Sequence, residues 1–215
     1  MHRIASAAIL LSFLMAGSAL ASVATIHEYN FAPSPSGNDL TDLNHDSYYK
    51  WGINWSLPAG QDLLDATLTF TNIRNWASET NVLYAHLLPS ATVGVTAYSD
   101  DQSTFVDNFT KNGNLPNTPL HTWWNLGTHG VNLVYAFDSN PNDNGKEMTA
   151  LATYVADGNF GIGLDPDCHF CDCGVNLQIH TIEFGGPPLA PEPLTVLGMF
   201  LGLGGVGGYI RRRLA

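Results

Sequence analysis

The densest concentration of chemically capable side chains is Asp165-Pro166-Asp167-Cys168-His169-Phe170-Cys171-Asp172-Cys173. Carboxylates, thiols and an imidazole share one short stretch, and three chemistries compete for them. The first is a disulfide. Cys168 with Cys173 closes a short loop with workable reach, Cys168 with Cys171 closes a shorter one, and Cys171 with Cys173 would be strained. The odd thiol is then free or pairs between chains. The second is a hard cation: Asp165, Asp167 and Asp172 offer oxygens to Ca²⁺, since alternate Asp residues around a Pro turn can aim two carboxylates one way. The third is Zn²⁺ or copper on Cys168, His169, Cys171 and Cys173. These soft ligands all sit in one tight turn, whereas ordinary zinc sites draw on two separated pairs.

Other candidates are weaker. Asp138-Ser139-Asn140-Pro141-Asn142-Asp143-Asn144-Gly145 looks like a calcium loop, but Pro141 interrupts it. Thr149 also stands where an EF-hand needs its bidentate Glu. A surface turn explains it better. Trp51, Trp55, Trp76, Trp123 and Trp124, with Tyr48 and Tyr49, are the residues available for stacking on sugar rings. Core packing accounts for most Trp in a small β-domain. Trp123 and Trp124 are adjacent, so on a strand they face opposite sides and one of them can be exposed. Catalytic signatures are lacking: there is no G-x-S-x-G, no H-E-x-x-H and no Gly-rich phosphate loop. A pair of acids brought together from distant strands would still suit a glycosidase.

The elements that must position these residues read as β-strands. Leu68 and Phe70, with Ile73 more loosely, alternate with Thr67, Thr69 and Thr71. Val131, Leu133, Tyr135 and Phe137 share a period of two, as do Val175, Leu177 and Ile179. Period two buries one face of a strand and wets the other. Strands are expected at 25–31, 48–57, 63–74, 81–88, 92–99, 121–127, 130–138, 159–164 and 175–183. Turns are expected at Leu57-Pro58-Ala59-Gly60, Asn112-Gly113 and Asp157-Gly158. Met148, Leu151, Ala152 and Val155 fall at helical spacing, which places one short helix at 146–156. The polar stretch 99–119 should project as an irregular loop. The expected fold is all-β: a single antiparallel β-sandwich, jelly-roll-like, with one short helix.

Both ends read as addresses. His2 and Arg3 precede an apolar run, and Ala19-Leu20-Ala21 follows it. That is the order of a secretory signal peptide, residues 1–21, cleaved after Ala21. Near the C-terminus, Pro191-Glu192-Pro193 precedes the uncharged, Gly-rich stretch 194–210 and then Arg211-Arg212-Arg213. The stretch is just long enough for a transmembrane helix, and the arginines favour the cytoplasmic side. Between the ends, residues 22–186 form the expected sandwich domain. Residues 22–190 carry four basic and 18 acidic residues, a net charge of -14. Such a surface repels nucleic acid and suits cations, neutral glycans or plain solubility.

The tail 187–215 resembles the PEP-CTERM sorting tail of Gram-negative bacteria, since tripeptide, apolar helix and arginine cluster occur in that order. The signal peptide implies export and cleavage by signal peptidase, and the tail resemblance implies an inner-membrane intermediate processed by an exosortase-type membrane peptidase. It also implies a final place at the cell surface or in the extracellular matrix, and an association with exopolysaccharide and biofilm. Tyr49-Lys50-Trp51-Gly52, Ala66 to Phe70 with Ile73 and Trp76, and Asp165 to Phe170 are similar to secreted jelly-roll domains found on such proteins. That family has no defined activity to carry over. The expectation is therefore a non-enzymatic, exported surface or matrix protein, glycan-binding in one form. The alternatives are a secreted polysaccharide hydrolase or a Ca²⁺-stabilised binding module.

Overall fold

The alternation along residues 61–75 does what period two requires. Ala66, Leu68 and Phe70 are buried while Thr67 and Thr69 are partly exposed. The looser position of Ile73 has a local cause. Asn72 adopts a left-handed backbone (φ 55°), the ladder slips between Phe70 and Ile73, and Ile73 turns inward instead of residue 72. A computed structural model describes residues 24–33, 40–100, 105–111, 117–138 and 145–185. Ala21, Pro191, Glu192, Pro193, the stretch 194–210, Arg211, Arg212 and Arg213 lie outside the described residues, as does Asn112-Gly113. Among the described residues no helix is long and apolar enough to cross a membrane.

Residues 24–184 form one compact unit. Its elements in chain order are β1 (Ala24–Phe31), β2 (Asp42–Leu43), β3 (Ser47–Asn54), β4 (Gln61–Asn75), β5 (Val82–Leu88) and β6 (Gly94–Ser99). Then follow α1 (Asn108–Lys111), β7 (Thr118–Trp124), β8 (Val131–Ala136), α2 (Lys146–Tyr154) with a 3-10 turn (Val155–Asp157), β9 (Asn159–Pro166), β10 (Phe170–Cys171) and β11 (Val175–Phe184). All the strand ladders between them are antiparallel. One sheet runs β1-β11-β4-β10-β2, with β8 also on β4, and the other runs β6-β3-β9-β5-β7. Leu68, Phe70, Leu177 and Ile179 of the first share one core with Trp51, Leu83, Phe160, Ile162 and Leu164 of the second. This is a two-sheet β-sandwich with one substantial helix.

That helix, α2, buries Leu151 and Val155, as its spacing predicts, but Ala152 is exposed. Its start uses Asp138, the first residue of the acid-rich segment before it, whose residues 139–144 lie outside the described residues. Asp138 Oδ1 accepts hydrogen bonds from the Glu147 and Met148 N–H groups (3.0 and 3.3 Å). Buried Glu147 in turn accepts from the Asp138 N–H (2.7 Å) and the Tyr135 hydroxyl (2.6 Å). Asp138 thus satisfies helix-terminal donors that would otherwise lack partners.

Two features organise the candidate site. The first is a crossover. β9 belongs to the five-stranded sheet and β10 to the other, so residues 167–169 carry the chain from one sheet to the other. β10 and β11 lie along the same edge of β4, where Cys171 faces Arg74 and Val175 faces Phe70. The second feature corrects an expectation. The stretch 99–119 does not simply project: its residues 105–109 fold back onto β9. Phe109 is 2% exposed and lies against His86, with ring centroids 4.9 Å apart. Gly163 makes room for it, because a Cβ there would stand 2.5 Å from the Phe109 ring.

Candidate functional site

The outer face of the five-stranded sheet carries most of the chemistry. Inward residues of β3, β5 and β9 fill the core, so their neighbours Tyr48, Tyr84 and Asp165 face outward. Asp165 is the register partner of Tyr84. Tyr48 stacks on Tyr98 of β6 at 5.2 Å, and Lys50 Nζ lies 4.9 Å from the Tyr98 ring centroid. At the opposite edge Trp124 is 53% exposed, 5.9 Å from Phe105 and 6.5 Å from Tyr84. The Tyr84 hydroxyl donates to the Phe105 carbonyl (3.1 Å), which ties the folded-back segment to the sheet.

Beneath that segment lies an acidic pocket. Asp165 is fully buried; its Oδ2 accepts from the Asn108 N–H (2.6 Å). Asp107 Oδ2 lies 2.9 Å from Nε2 of buried His86. Asp100 is 6% exposed, and among the described residues neither of its carboxylate oxygens has a hydrogen-bond partner. Asp167 Oδ2 is likewise buried without one. Burial raises the Asp165 carboxyl to about 7, the Asn108 N–H opposes the rise, and Asp100 and Asp167 add to it. Burial and Asp100 raise Asp167 to about 6, against the Phe105 N–H and His45, with Asp107 adding to the rise. Burial, with Asp167, Asp107 and Asp165 adding, pushes the Tyr84 phenol to about 12. Desolvation and like charge both favour the neutral acid, and together they explain the pattern.

The structure separates the three carboxylates expected to share Ca²⁺. Asp165 and Asp167 stay with the five-stranded sheet. Asp172 lies past the crossover, where its N–H donates to the Thr41 carbonyl (3.0 Å) and its Oδ1 accepts from the Gly174 N–H (2.7 Å). The companions of Asp165 and Asp167 are instead Asp100 and Asp107, from the loop before α1. Their distance in sequence hid them.

The thiols are separated too. All three cysteines are free. The expected disulfide is not formed, because each sulfur is turned to a different neighbour. Cys168 Sγ donates to Glu79 Oε1 (2.8 Å), and Cys173 Sγ accepts from Asn72 Nδ2 (3.2 Å). Cys171 sits opposite Asp42 on β2. The soft-ligand set of Cys168, His169, Cys171 and Cys173 is therefore also split, and only His169 and Cys171 converge. They do so with Asp42, whose Oδ1 lies 2.5 Å from His169 Nε2.

Of the Trp pair, Trp123 packs on Phe70 in the core (5.5 Å) and Trp124 faces solvent. Trp51 is core, Trp55 packs on Tyr29 and Phe31, and Tyr49 is buried. Trp76 is 73% exposed beside His169. Asp165 has the raised pKa of a general acid, and it lies fully buried under the Asn108–Phe109 turn. Two surface hollows of about 330 and 500 Å³ are lined by neither this acid nor Trp124. No protein-family model matches the chain, and no curated protein is found to be similar to it.

Proposed function

We propose that this is an exported, non-enzymatic protein of the cell surface or extracellular matrix that binds neutral glycan on the outer face of its five-stranded sheet. The observation that carries the reading is Trp124, exposed beside Phe105 and Tyr84 on an open face rather than in a cleft. Flat aromatic surface suits the apolar faces of sugar rings, and an open face suits a long polymer. The strand order β1-β11-β4-β8 over β3-β9-β5-β7 supports reading the sandwich as a jelly roll, a fold used by lectins among others. That analogy is one of fold alone.

In this reading signal peptidase removes 1–21, and an exosortase-type peptidase of a Gram-negative bacterium reads Pro191-Glu192-Pro193, the membrane stretch and Arg211-Arg212-Arg213. The domain then joins an extracellular polysaccharide, as in a biofilm, and its acidic surface keeps it off nucleic acid. A glycan-array screen run beside a hydrolysis assay tests the binding claim. Binding without turnover, weakened in Trp124→Ala, supports it; turnover would favour a secreted hydrolase. Removing 191–215 tests the sorting claim, since unchanged retention and release would defeat it.

One observation favours a Ca²⁺-stabilised form of this module. Asp100 presents two buried, unpartnered oxygens beside Asp165 and Asp167, which is what a hard cation would neutralise. Among the described residues no three donors of this pocket lie within 4.8 Å of one another, so an ion held by these acids would have to draw Asp100 and Asp167 together. A rise in melting temperature with Ca²⁺, absent in Asp100→Asn, supports it.

A further inference from the structure

The other half of the Asp165–Cys173 stretch forms a separate cluster of different chemistry. Asp42 Oδ1, His169 Nε2 and Cys171 Sγ supply an oxygen, a nitrogen and a sulfur, all within 4.8 Å of one another. The backbone places them there. Two residues apart on an extended segment, His169 and Cys171 share a face. The antiparallel register then sets Asp42 directly opposite Cys171. The position of His169 is held by its carbonyl, which accepts from the Trp76 N–H (2.8 Å), and the Trp76 ring lies 5.7 Å from the imidazole. Cys171 is fixed on its other side by pairing with Arg74 of β4.

We propose that Asp42, His169 and Cys171 form a binding site for a borderline-soft divalent metal of the Zn²⁺ class. The donor set decides the class. Ca²⁺ and Mg²⁺ demand oxygens throughout, whereas Zn²⁺ accepts Cys sulfur, His nitrogen and Asp oxygen at about 2.0–2.3 Å. Donors ringed around one tetrahedral ion at such lengths fit inside the 4.8 Å span seen here. The ion would lie where the His169 Nε2–Asp42 hydrogen bond now runs, and the protons of that bond and of the Cys171 thiol would pass to solvent. Asp42 is exposed and His169 and Cys171 half-exposed, so the site is open to entry from solvent. Three protein ligands leave a fourth position for water or an outside donor, the arrangement of a reactive rather than a purely structural zinc site. The bound ion would also tie the two-residue β2 to the crossover.

The test uses the full chain, purified reduced and stripped with chelator, and titrated with Co²⁺ without oxygen. The expected result is one equivalent bound, a thiolate-to-cobalt charge-transfer band, and loss of that band on adding Zn²⁺. Cys171→Ser should abolish the band while Cys168→Ser and Cys173→Ser keep it. Asp42→Asn and His169→Gln should weaken binding by about tenfold or more. Asp42→Asn guards against misfolding, since it changes an exposed, nearly isosteric group. A missing band in the wild-type chain, a band that survives Cys171→Ser, or unchanged affinity in both Asp42→Asn and His169→Gln overturns the proposal.

Discussion

The pocket on the outer face of the five-stranded sheet and the cluster at β2 each take residues from one nine-residue stretch, yet they are opposites. The pocket is buried and built of carboxylates: Asp100, Asp107, Asp165 and Asp167. The cluster is open and mixed: Asp42, His169 and Cys171. The crossover at 167–169 makes the difference, because it sends each end of the stretch to a different sheet and a different set of distant neighbours. Adjacency in sequence therefore overstated what could act together. The pocket's chemistry is dominated by desolvation and like-charge repulsion, and that of the cluster by donor type.

The largest expected effect concerns what covers the pocket. Phe109→Ala removes a fully buried ring that packs on His86 and over Gly163, and should cost about 3–5 kcal/mol in urea unfolding. It should also bring the Asp165 carboxyl back toward the ordinary range, readable by NMR titration. A small loss with Asp165 unmoved would mean that the turn does not seal the pocket.

The next effect is a pH dependence. Asp165 at about 7 and Asp167 at about 6 keep protons in the folded state that the unfolded chain, near 3.8, has already lost. The folded state thus binds more protons across that window, and these groups make stability fall as pH rises from about 4 to about 7. Asp100→Asn removes a buried carboxyl that helps raise Asp165 and Asp167. In chelator at pH 8 it should raise stability by roughly 2 kcal/mol and flatten the slope. Thermal melts across pH check both. A lower melting temperature in Asp100→Asn would show that the Asp100 carboxyl stabilises the fold where it lies.

Smaller effects separate face from core and pocket from cluster. Trp124→Ala should leave folding nearly intact and weaken glycan binding about tenfold, whereas Trp123→Ala should cost about 3 kcal/mol of stability. Without metal, Asp42→Asn should change stability by less than about 0.5 kcal/mol, since the residue is exposed. A large loss there would make the Asp42–His169 contact structural.

Most of the strand framework was legible in the residues, because alternation is strong along β4, β8 and β11. The helix was legible too, and ends near Gly158, which takes the left-handed conformation (φ 77°) that only glycine adopts freely. What escaped notice was short or distant. β2 and β10 are two residues each and carry no period. The turn α1 sits in a polar stretch whose buried ring, Phe109, gives no repeat. The candidate site was half legible: the stretch 165–173 stood out, but its partners Asp42 and Asp100 did not. His169 and Asp42 are 127 residues apart, and no local pattern encodes such a contact.

The central claim is that the crossover divides one motif into a hard-ligand pocket and a soft-ligand cluster. The most direct measurement is the thermal shift of the full chain with Ca²⁺ and, separately, with Zn²⁺, in wild type, Asp100→Asn and Asp42→Asn. The account predicts that Asp100→Asn loses the Ca²⁺ shift and keeps the Zn²⁺ shift, and that Asp42→Asn does the reverse. One substitution abolishing both shifts, or neither metal moving the wild-type melt, would contradict it.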